Sequence, residues 1–458
     1  MRQVSDSLGT LDVPETALYG ANTARGAENF RGLGPALAAY PYFMRAMAGV
    51  KRAAARANQR VGALSERQAD AIAAACDELW DGAHWDQFIV PLAEGSGGTS
   101  TNMNFNEVIA ARANQIMALA PDAPERVTAN DHVNLGQSTN DAVPSAIKLA
   151  CVLAWPVLAE GAHRLINVLE AKGRETSDIL RTGRTCMQAA QPMTYGQLFG
   201  GYASLVSRAL HEAERAMQGL CVVPMGGTAI GTGLGAPEGY GAEISGALSE
   251  SFGFTISCAG NAFDGMQAAD GFARMSAELR NLAAACAKIA ADLVILSSDG
   301  ASGIGEILLP AVQPGSSIMA GKVNPVMPMA MQQISMMVQG QDLTVSLAAQ
   351  AGQMEINHFE PAMAQALFTQ MELLTAGLPL FAGKCIAGLK VDEDRSYENL
   401  AKSFAVSTVF LRELGYGKVA GLAKRAQTEA RPLSEIAAEE GLLDAAQLRA
   451  VLQDATGA

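Results

Sequence analysis

Long segments rich in Ala, Leu, Met and Gln occupy most of the chain beyond residue 104. Two examples span 271–298, GFARMSAELRNLAAACAKIAADLVILSS, and 327–352, MPMAMQQISMMVQGQDLTVSLAAQAG. Both exceed the roughly 10–14 residues of an average helix, and their apolar residues cover more than one helical face. Such helices must be buried on several sides, which a bundle of helices provides. We therefore predict an all-α fold with a central bundle of long helices.

Changes in composition along the chain indicate three parts. Residues 1–137 combine turn-like stretches with helical ones, which predicts a mixed N-terminal domain. Residues 138–388 hold the longest helical segments and form the predicted central bundle. The charged stretch KVDEDRSYENL follows at 390–400, and the tail then has the pattern of short helices around a proline. We predict a small helical C-terminal domain over residues 389–458.

The overall charge limits the partners that the chain can have. Its 458 residues carry a net charge of −13, and the isoelectric point is near 5.0. Such an acidic chain is repelled by a phosphate backbone, so we predict no nucleic-acid partner. An anionic substrate would have to be attracted by a local site, because the global field repels it.

Hydropathy, cysteines and histidines indicate a reduced, cytoplasmic and oligomeric protein. The mean hydropathy of +0.13 is high for a monomer, so we expect some apolar surface to be buried between subunits. No uncharged run of about 18 apolar residues occurs and the N-terminus lacks a signal-peptide h-region, so we predict no membrane span. The seven cysteines include no CxxC pair, and the five histidines lack metal spacing. We therefore expect reduced thiols, a cytoplasmic location and no metal site.

Four polar segments interrupt the apolar helical pattern, each at or just before a predicted helix start. They are rich in Gly, Ser, Thr and Asn, and they span 94–107, 130–141, 183–192 and 315–325. Helix N-termini offer backbone N–H groups and the positive end of a dipole, and both bind anions. Taken singly, each segment is better explained as a helix cap or a turn than as an anion site. Together they indicate a shared polar site between bundle helices.

The segment at 315–325 reads GSSIMAGKVNP and resembles the signature loop of the fumarase/aspartase superfamily, GSSxMPxKxNP. Three further regions are similar to that family in the same order: GTSTNMNFNEVIAARAN at 98–114, HVNLGQSTND at 132–141 and GRTCMQAAQP at 183–192. The resemblance extends over nearly the whole chain and favours the fumarase–aspartase branch with its small C-terminal domain. It implies a small dicarboxylate substrate, no cofactor, and a homotetramer in which each active site is built from three subunits.

The resemblance also implies a reaction and a set of site residues. Members of the family remove a proton from C3 of a succinyl group and expel a leaving group from C2, which releases fumarate. Ser316 corresponds to the base, an oxyanion that loop N–H groups and Lys322 would stabilise, and the intermediate is of enediolate type. The positions that match the family's carboxylate-binding residues are Thr99, Ser138, Thr139, Asn140, Thr185, Lys322 and Asn324.

Two substitutions separate the chain from fumarases. Cys186 stands where fumarases have a histidine, and Met329 stands where the glutamate partner of that histidine would be. Without this pair nothing obvious protonates a departing hydroxide, whereas an ammonium group already carries its proton. We therefore predict elimination from a C2-nitrogen-substituted succinate such as aspartate, with Cys186 and Met329 as candidate pocket residues. Because Met329 replaces the glutamate, that carboxylate is lost, and nitrosuccinate, which releases nitrite, stays an alternative substrate. Malate is the weakest option.

The sequence leaves two further alternatives open. The Cys186 thiol either shapes the pocket around C2 or is a small buried filler where the family's histidine was lost. The superfamily also contains recruited structural proteins, so a catalytically dead relative is a second class of hypothesis. The presence of Ser316, Lys322 and Asn324 on one loop argues against that class, and release of fumarate would distinguish the two.

Overall fold

Helices form most of the chain, which confirms the all-α prediction. The computed structural model describes residues 1–120 and 122–457, apart from the side chains of Arg412 and Glu413. The α-helices are α1 (Ala21–Asn29), α2 (Pro41–Arg60), α3 (Glu66–Trp80), α4 (Thr99–Ile116), α5 (Thr139–Glu175), α6 (Tyr195–Gly219), α7 (Tyr240–Phe252), α8 (Ala262–Gln267), α9 (Asp270–Leu296), α10 (Val326–Gln350), α11 (Glu360–Phe381), α12 (Glu393–Lys402), α13 (Ser407–Glu429), α14 (Leu433–Glu439) and α15 (Ala445–Thr456). The long helices α5, α6, α9, α10 and α11 cover the segments whose length and apolar character predict a bundle.

The strands are short, and within the described residues they pair only in twos. They are β1 (Arg2–Asp6), β2 (Gly9–Val13), β3 (Leu180–Thr185), β4 (Gln188–Thr194), β5 (Val222–Val223), β6 (Ser257–Cys258), β7 (Ile307–Leu308) and β8 (Lys390–Val391). The pairs β1–β2, β3–β4 and β7–β8 are antiparallel, and β5–β6 is parallel. The β1–β2 hairpin gives the N-terminal region its mixed character, and the β3–β4 hairpin carries Thr185 of the candidate site.

Two compact units divide the chain, and each combines three segments. The first unit comprises Met1–Leu158, Glu212–Arg280 and Met337–Leu373. The second unit comprises Ala159–His211, Asn281–Met336 and Leu374–Ala458. The domain boundaries predicted from composition, after residues 137 and 388, stay a prediction.

The first unit is built around α2, whose inner face is buried. Apolar residues recur on this face at helical spacing, and Phe43 and Met47 are among those fully buried. Helix α2 packs against α3 and α7, and α3 packs against α4. The Phe105 ring of α4 lies 6.4 Å from the Phe43 ring and 4.4 Å from the Phe88 ring, measured between centroids. Burial of each such side chain stabilises the fold by about 1.5–3 kcal/mol. A lysine, Lys51, is also fully buried on this face.

The C-terminal helices of the second unit share a small core of their own. Helix α12 begins after Asp392, whose side chain accepts the N–H of Arg395 at 2.9 Å, and α15 begins with a capping box between Asp444 and Gln447. Pro432 separates α13 from α14, as the sequence pattern predicts. The buried residues of this core include Leu400, Val406, Phe410, Ile436 and Leu452.

One helix in the described part of the chain has the length and composition of a membrane span. Helix α5 has an 18-residue window of mean hydropathy 1.7, but 56% of that window is buried inside the protein. A core helix passes the same test, and α5 also contains Pro144 and Pro156. By itself, α5 is therefore weak evidence for a membrane span in the described part of the chain.

Candidate active site

The signature loop of the second unit is closed by its own hydrogen bonds. The backbone N–H of Gly315 donates to the carbonyl of Lys322 at 2.8 Å, and the Asn324 side-chain amide donates to the carbonyl of Gly315 at 2.7 Å. A Cβ atom added at Gly315 would lie 2.6 Å from the Lys322 carbonyl oxygen, so the closure requires glycine at this position. Three residues predicted for the site, Ser316, Lys322 and Asn324, are thus brought together on one closed loop.

Two backbone N–H groups of the loop point at the Ser316 hydroxyl. The N–H of Ile318 lies 3.2 Å from Ser316 Oγ, and the N–H of Met319 lies 3.0 Å from it. Two N–H donors on one oxygen favour negative charge on that oxygen, because each bond strengthens when its acceptor is ionised. The arrangement suits a serine that carries negative charge, and the same local bonds also form in ordinary serine turns.

The Lys322 ammonium is exposed on the same loop. It makes no hydrogen bond or ion pair with any residue that the structure describes, so its charge is available to a ligand. A cavity of about 530 Å³ lies against the loop and is lined in part by Gln313, Ser316 and Lys322. A serine oxygen and an unpaired cation therefore face a common space.

The first unit brings Thr99 and residues 138–140 together. Helix α4 begins at Thr99, and a Cβ atom added at the preceding Gly98, which has φ +91°, would lie 3.3 Å from Cγ2 of Thr139. The side-chain amide of Asn102 donates to Thr139 Oγ1 at 3.2 Å. The N–H of Thr101 already donates to Glu94 at 3.1 Å. The exposed hydroxyl of Thr99 is therefore free to contact a ligand. The Thr101 N–H in the first turn of α4 is not, because it is already bonded to Glu94.

A buried carboxylate, Asp141, fixes the segment that holds residues 138–140. It accepts the N–H of Ser138 at 2.8 Å, of Thr228 at 3.0 Å and of Gly226 at 3.2 Å. Burial raises the pKa of Asp141 to about 7, while these three N–H donors and the Lys51 charge favour the ionised form. Asp141 thereby joins the start of α5 to the loop at 226–228.

A buried ammonium, Lys51, lies beneath the same segment. Its Nζ donates to side-chain oxygens of Asn102 at 2.7 Å, Gln137 at 2.9 Å and Asn134 at 3.2 Å. Burial lowers the pKa of Lys51 to about 7, and the nearby Asp141 charge opposes this. The three acceptors come from α4 and from the loop before α5, so Lys51 holds both segments in place.

Thr185 and Cys186 lie at the turn of the β3–β4 hairpin in the second unit. Both are exposed, and Cys186 and Met187 form the two-residue turn with φ values of 50° and 64°. Within the single chain the Cys186 side chain faces solvent, so nothing inside this chain makes it a buried filler. Met329 lies in the first turn of α10 and is about half exposed.

A second buried carboxylate, Glu306, anchors that hairpin. Its oxygens accept hydrogen bonds from Arg184 at 2.9 Å, the Tyr195 hydroxyl at 2.8 Å and the Asn399 amide at 3.0 Å. Arg184 immediately precedes Thr185, so the ion pair fixes the strand that carries the predicted site residue. Tyr195 is buried as well, and burial raises the pKa of its hydroxyl well above the ordinary value.

Sequence reasoning missed these supporting residues. Lys51, Asp141 and Glu306 are charged residues whose side chains are fully buried, and their partners are distant in sequence. The one available signal was a lysine among alanines and methionines on the buried face of α2. The predicted site residues themselves divide between the units: Thr99 and 138–140 lie in the first, and the remainder in the second.

Comparison with known proteins assigns the chain to a family. A family model described as Lyase matches residues 9–340. The aspartate ammonia-lyase of Helicobacter pylori J99 is 38% identical over 448 residues, which cover 98% of this chain and 96% of that protein. The chain belongs to this lyase family. The relatives place the lyase in the fumarase/aspartase superfamily, among its carbon–nitrogen lyases.

Two further members of this superfamily also match the lyase over nearly its whole length. The class II fumarate hydratase of Ralstonia nicotianae is 36% identical over 450 residues, covering 98% of the lyase and 97% of the hydratase. A crystal structure of a fumarate lyase:delta crystallin from Brucella melitensis, bound to cobalt, superposes with a TM-score of 0.94. It is 40% identical and covers 99% of the lyase and 98% of its own chain. The helical-bundle fold predicted from the long apolar helices is thereby confirmed.

Proposed function

We propose that this lyase eliminates ammonia from L-aspartate to give fumarate. The observation that carries the proposal is the Ser316 hydroxyl, which accepts two backbone N–H bonds on a loop that also presents the unpaired Lys322 ammonium. The similarity to aspartate ammonia-lyases supports ammonia as the leaving group. The same loop argues against a purely structural protein, because packing alone has no use for a cation and a polarised serine at an open cavity.

Ser316 acts as the base of the reaction. As an oxyanion it takes the proton from C3, and the electrons of the C3–H bond move into the neighbouring carboxylate, forming an enediolate. The C2–N bond then breaks with its electron pair going to nitrogen, so the ammonium leaves as ammonia without a further proton donor. Lys322 and Asn324 stabilise the extra charge on the carboxylate of the enediolate.

The remaining site residues hold the two carboxylates of the substrate. Thr185 supplies its exposed hydroxyl from the hairpin, and Thr99 and residues 138–140 supply hydroxyl and amide groups from the first unit. The buried Lys51, Asp141 and Glu306 position these segments without contacting the substrate. The substrate carries two negative charges, and the chain's net charge of −13 repels it. Local hydroxyl and amide donors are therefore needed to hold its carboxylates.

Residues around C2 favour a nitrogen leaving group over hydroxide. Cys186 and Met329 offer no strong proton donor, and Met329 leaves the first turn of α10 without a carboxylate at that position. Met329 also supports a second candidate, nitrosuccinate lyase. Nitrite leaves as an anion without protonation, and a methionine does not repel it as a glutamate would. Malate dehydration is the least supported reaction.

The assembly that we propose is a cytoplasmic homotetramer in which three subunits contribute to each active site. Helix α10 supports such an assembly, because an apolar row of Met329, Met336, Leu343 and Leu347 is exposed on it. These residues are seven, seven and four positions apart, which places them on one face of the helix. An exposed apolar face of this length is typical of a subunit interface.

A side-by-side assay of L-aspartate, L-malate and 2-nitrosuccinate tests the function. Fumarate is followed by its ultraviolet absorbance, and ammonia or nitrite is measured in the same reaction. We expect aspartate to yield fumarate and ammonia in equal amounts. Efficient dehydration of malate would overturn the proposal, and turnover of nitrosuccinate alone would favour the second candidate.

Variants of two adjacent serines provide the control for that assay. Ser316→Ala is expected to lower kcat by about 10²–10⁴-fold, the usual contribution of a general base, with little change in dicarboxylate binding. Ser317→Ala changes the neighbouring exposed serine and should remain close to wild type. Near-normal turnover by the Ser316 variant would mean that another residue is the base.

A further inference from the structure

The connector between α10 and α11, residues 351–359, holds a histidine beside the glycines that precede α4. A Cβ atom added at Gly97 would lie 3.2 Å from Cβ of His358 and 3.6 Å from its Cα. Gly97 lies two positions before Thr99, the first residue of α4, and all three residues belong to the first unit. His358 therefore occupies the space that a side chain at position 97 would need, next to a predicted substrate-binding residue.

The backbone around His358 is fixed by a buried asparagine. The Asn357 side-chain amide donates to the carbonyls of Ala348 and Ala349, near the end of α10, at 3.0 and 3.1 Å. Its side-chain oxygen accepts the N–H of Phe359 at 3.0 Å. Asn357 is only 3% exposed, so these bonds are shielded from water. The connector is therefore ordered before a ligand arrives, which lowers the entropy lost when His358 contacts one.

The imidazole of His358 is exposed, and its ring nitrogens make no hydrogen bond or ion pair with any residue that the structure describes. Its ring packs against the Phe359 ring, with 4.2 Å between centroids. The carboxylate in the loop before α4, Glu94, is already bonded to the Ser96 hydroxyl and the Thr101 N–H. An imidazole N–H can donate to a carboxylate, and a protonated ring adds a positive charge.

The first-unit part of the proposed site has a use for such a group. Thr99 and residues 138–140 are neutral, and the Lys51 ammonium beneath them gives its three donors to side-chain amides. A substrate with two negative charges is repelled by the chain's net charge of −13 and gains from a nearby cation. Two residues of chain span at most about 7 Å, so one small ligand can touch both Thr99 and His358.

We propose that His358 is a substrate-binding residue that donates to the carboxylate held by Thr99 and thereby favours substrates with two carboxylates. The inference rests on the proposed function, because it adds a residue to the same site. Thr99 contributes a neutral hydroxyl, and His358 contributes a donor that can also carry charge. A ligand with one carboxylate would leave the His358 donor without a partner when that carboxylate lies against Lys322.

Calorimetric titration of the full-length protein with fumarate and crotonate tests the inference. Crotonate has a methyl group in place of one carboxylate of fumarate. His358→Leu should weaken fumarate binding about tenfold, near the lower end for a lost hydrogen bond to a charged group, with little change for crotonate. A purely structural role would weaken both ligands alike. His211→Leu, which changes an exposed histidine of α6, should bind both ligands as wild type does.

Gly97→Ala provides a second test that leaves His358 unchanged. Its Cβ would press against His358 at 3.2 Å, so fumarate binding should weaken. Gly82→Ala is the control, because Gly82 also has positive φ, +100° against +64° for Gly97, but open space surrounds an added Cβ there. Unchanged binding in Gly97→Ala would contradict the contact between position 97 and His358.

The outcomes separate this inference from the proposed function. If His358→Leu binds fumarate as wild type does, or loses fumarate and crotonate equally, the role of His358 is overturned and the lyase reaction is unaffected. If wild type binds no fumarate, the proposed function and the role of His358 are both overturned. Because His358 is exposed, its replacement is expected to leave the fold intact, which circular dichroism checks.

Discussion

At the scale of single residues, a buried lysine supports the segments that hold the candidate site. Lys51 donates to three side-chain oxygens of Asn102, Asn134 and Gln137. Removing the ammonium leaves the side-chain oxygens of Asn102 and Gln137 unpaired, whereas Asn134 keeps the amides of Asn102 and Asn106 as donors. Each buried group left unpaired costs about 1–3 kcal/mol. The two segments that carry Thr99 and residues 138–140 would lose their common anchor.

The Lys51 ammonium also makes stability depend on pH. Burial lowers its pKa to about 7 from 10.5. Between pH 7 and 9 the unfolded chain therefore binds more protons than the folded one, so the free energy of unfolding rises with pH. This residue should add about 2 kcal/mol over that interval. Urea unfolding at fixed protein concentration should show the rise in wild type but not in Lys51→Met.

A matched variant separates this effect from other titrations. Lys418→Met removes an exposed lysine and should keep the wild-type pH dependence. If Lys51→Met unfolds with the same pH dependence as wild type, Lys51 does not titrate in this range. A loss of dicarboxylate affinity in Lys51→Met, with the fold intact by circular dichroism, would agree with its positioning role.

The sequence predicted the residues of the signature loop but not the buried residues that support the site. Ser316, Lys322 and Asn324 are close in sequence, so a loop of suitable composition brings them together without knowledge of the fold. Lys51 and Asp141 acquire their roles mainly through partners that are distant in sequence, such as Gln137 for Lys51 and Thr228 for Asp141, which no local pattern records. A lysine in a helix is ordinarily solvated, and only the packed structure shows this one to be buried.

At the scale of secondary-structure elements, the β3–β4 hairpin contains a strained turn. Two-residue hairpin turns favour Asn and Gly because both central residues need positive φ. This hairpin has Cys186 and Met187 there, with φ values of 50° and 64°. Non-glycine residues held in this conformation cost free energy and often lie at functional sites. The turn is therefore a second indication that this hairpin serves the site.

Replacing the second turn residue should relieve that strain. We expect Met187→Gly to raise the free energy of unfolding by about 0.5–1 kcal/mol, because glycine adopts positive φ without penalty. Denaturant titration measures the change. Ala420→Gly in α13 is the control, because it introduces the same residue at an exposed helical position and should destabilise by about 1 kcal/mol. Destabilisation by Met187→Gly would mean that the contacts of the Met187 side chain stabilise the fold by more than the strained turn costs.

Prediction at this scale succeeded for helices and failed for strands. The helices α5, α6, α9, α10 and α11 have long apolar faces, a signal that depends only on local periodicity. The hairpin at 180–194 has no regular alternation of apolar and polar residues. Its strands pair with each other, and Glu306 fixes them through Arg184 and the adjacent Tyr195. The sequence therefore located the polar segment at 183–192 but not its β structure.

At the scale of the whole molecule, the exposed face of α10 determines the expected assembly. Leu343 is 61% exposed in the centre of that face. Leu343→Glu should convert the proposed tetramer into smaller species in light scattering and abolish turnover, because the proposed active site needs three subunits. Leu8→Glu, on the β1–β2 hairpin, places the same charge at another exposed leucine and should remain tetrameric. A stable and fully active monomer would contradict both the assembly and the shared site.

The closed signature loop affects how much backbone entropy the protein loses when substrate binds. Since Gly315 and Lys322 are joined by a backbone hydrogen bond, the intervening residues are already ordered before substrate arrives. Fixing the backbone of a residue costs about 1–2 kcal/mol, and here that cost falls on folding rather than on binding. We therefore expect Ser316 to hold its two N–H donors both before and after substrate binds.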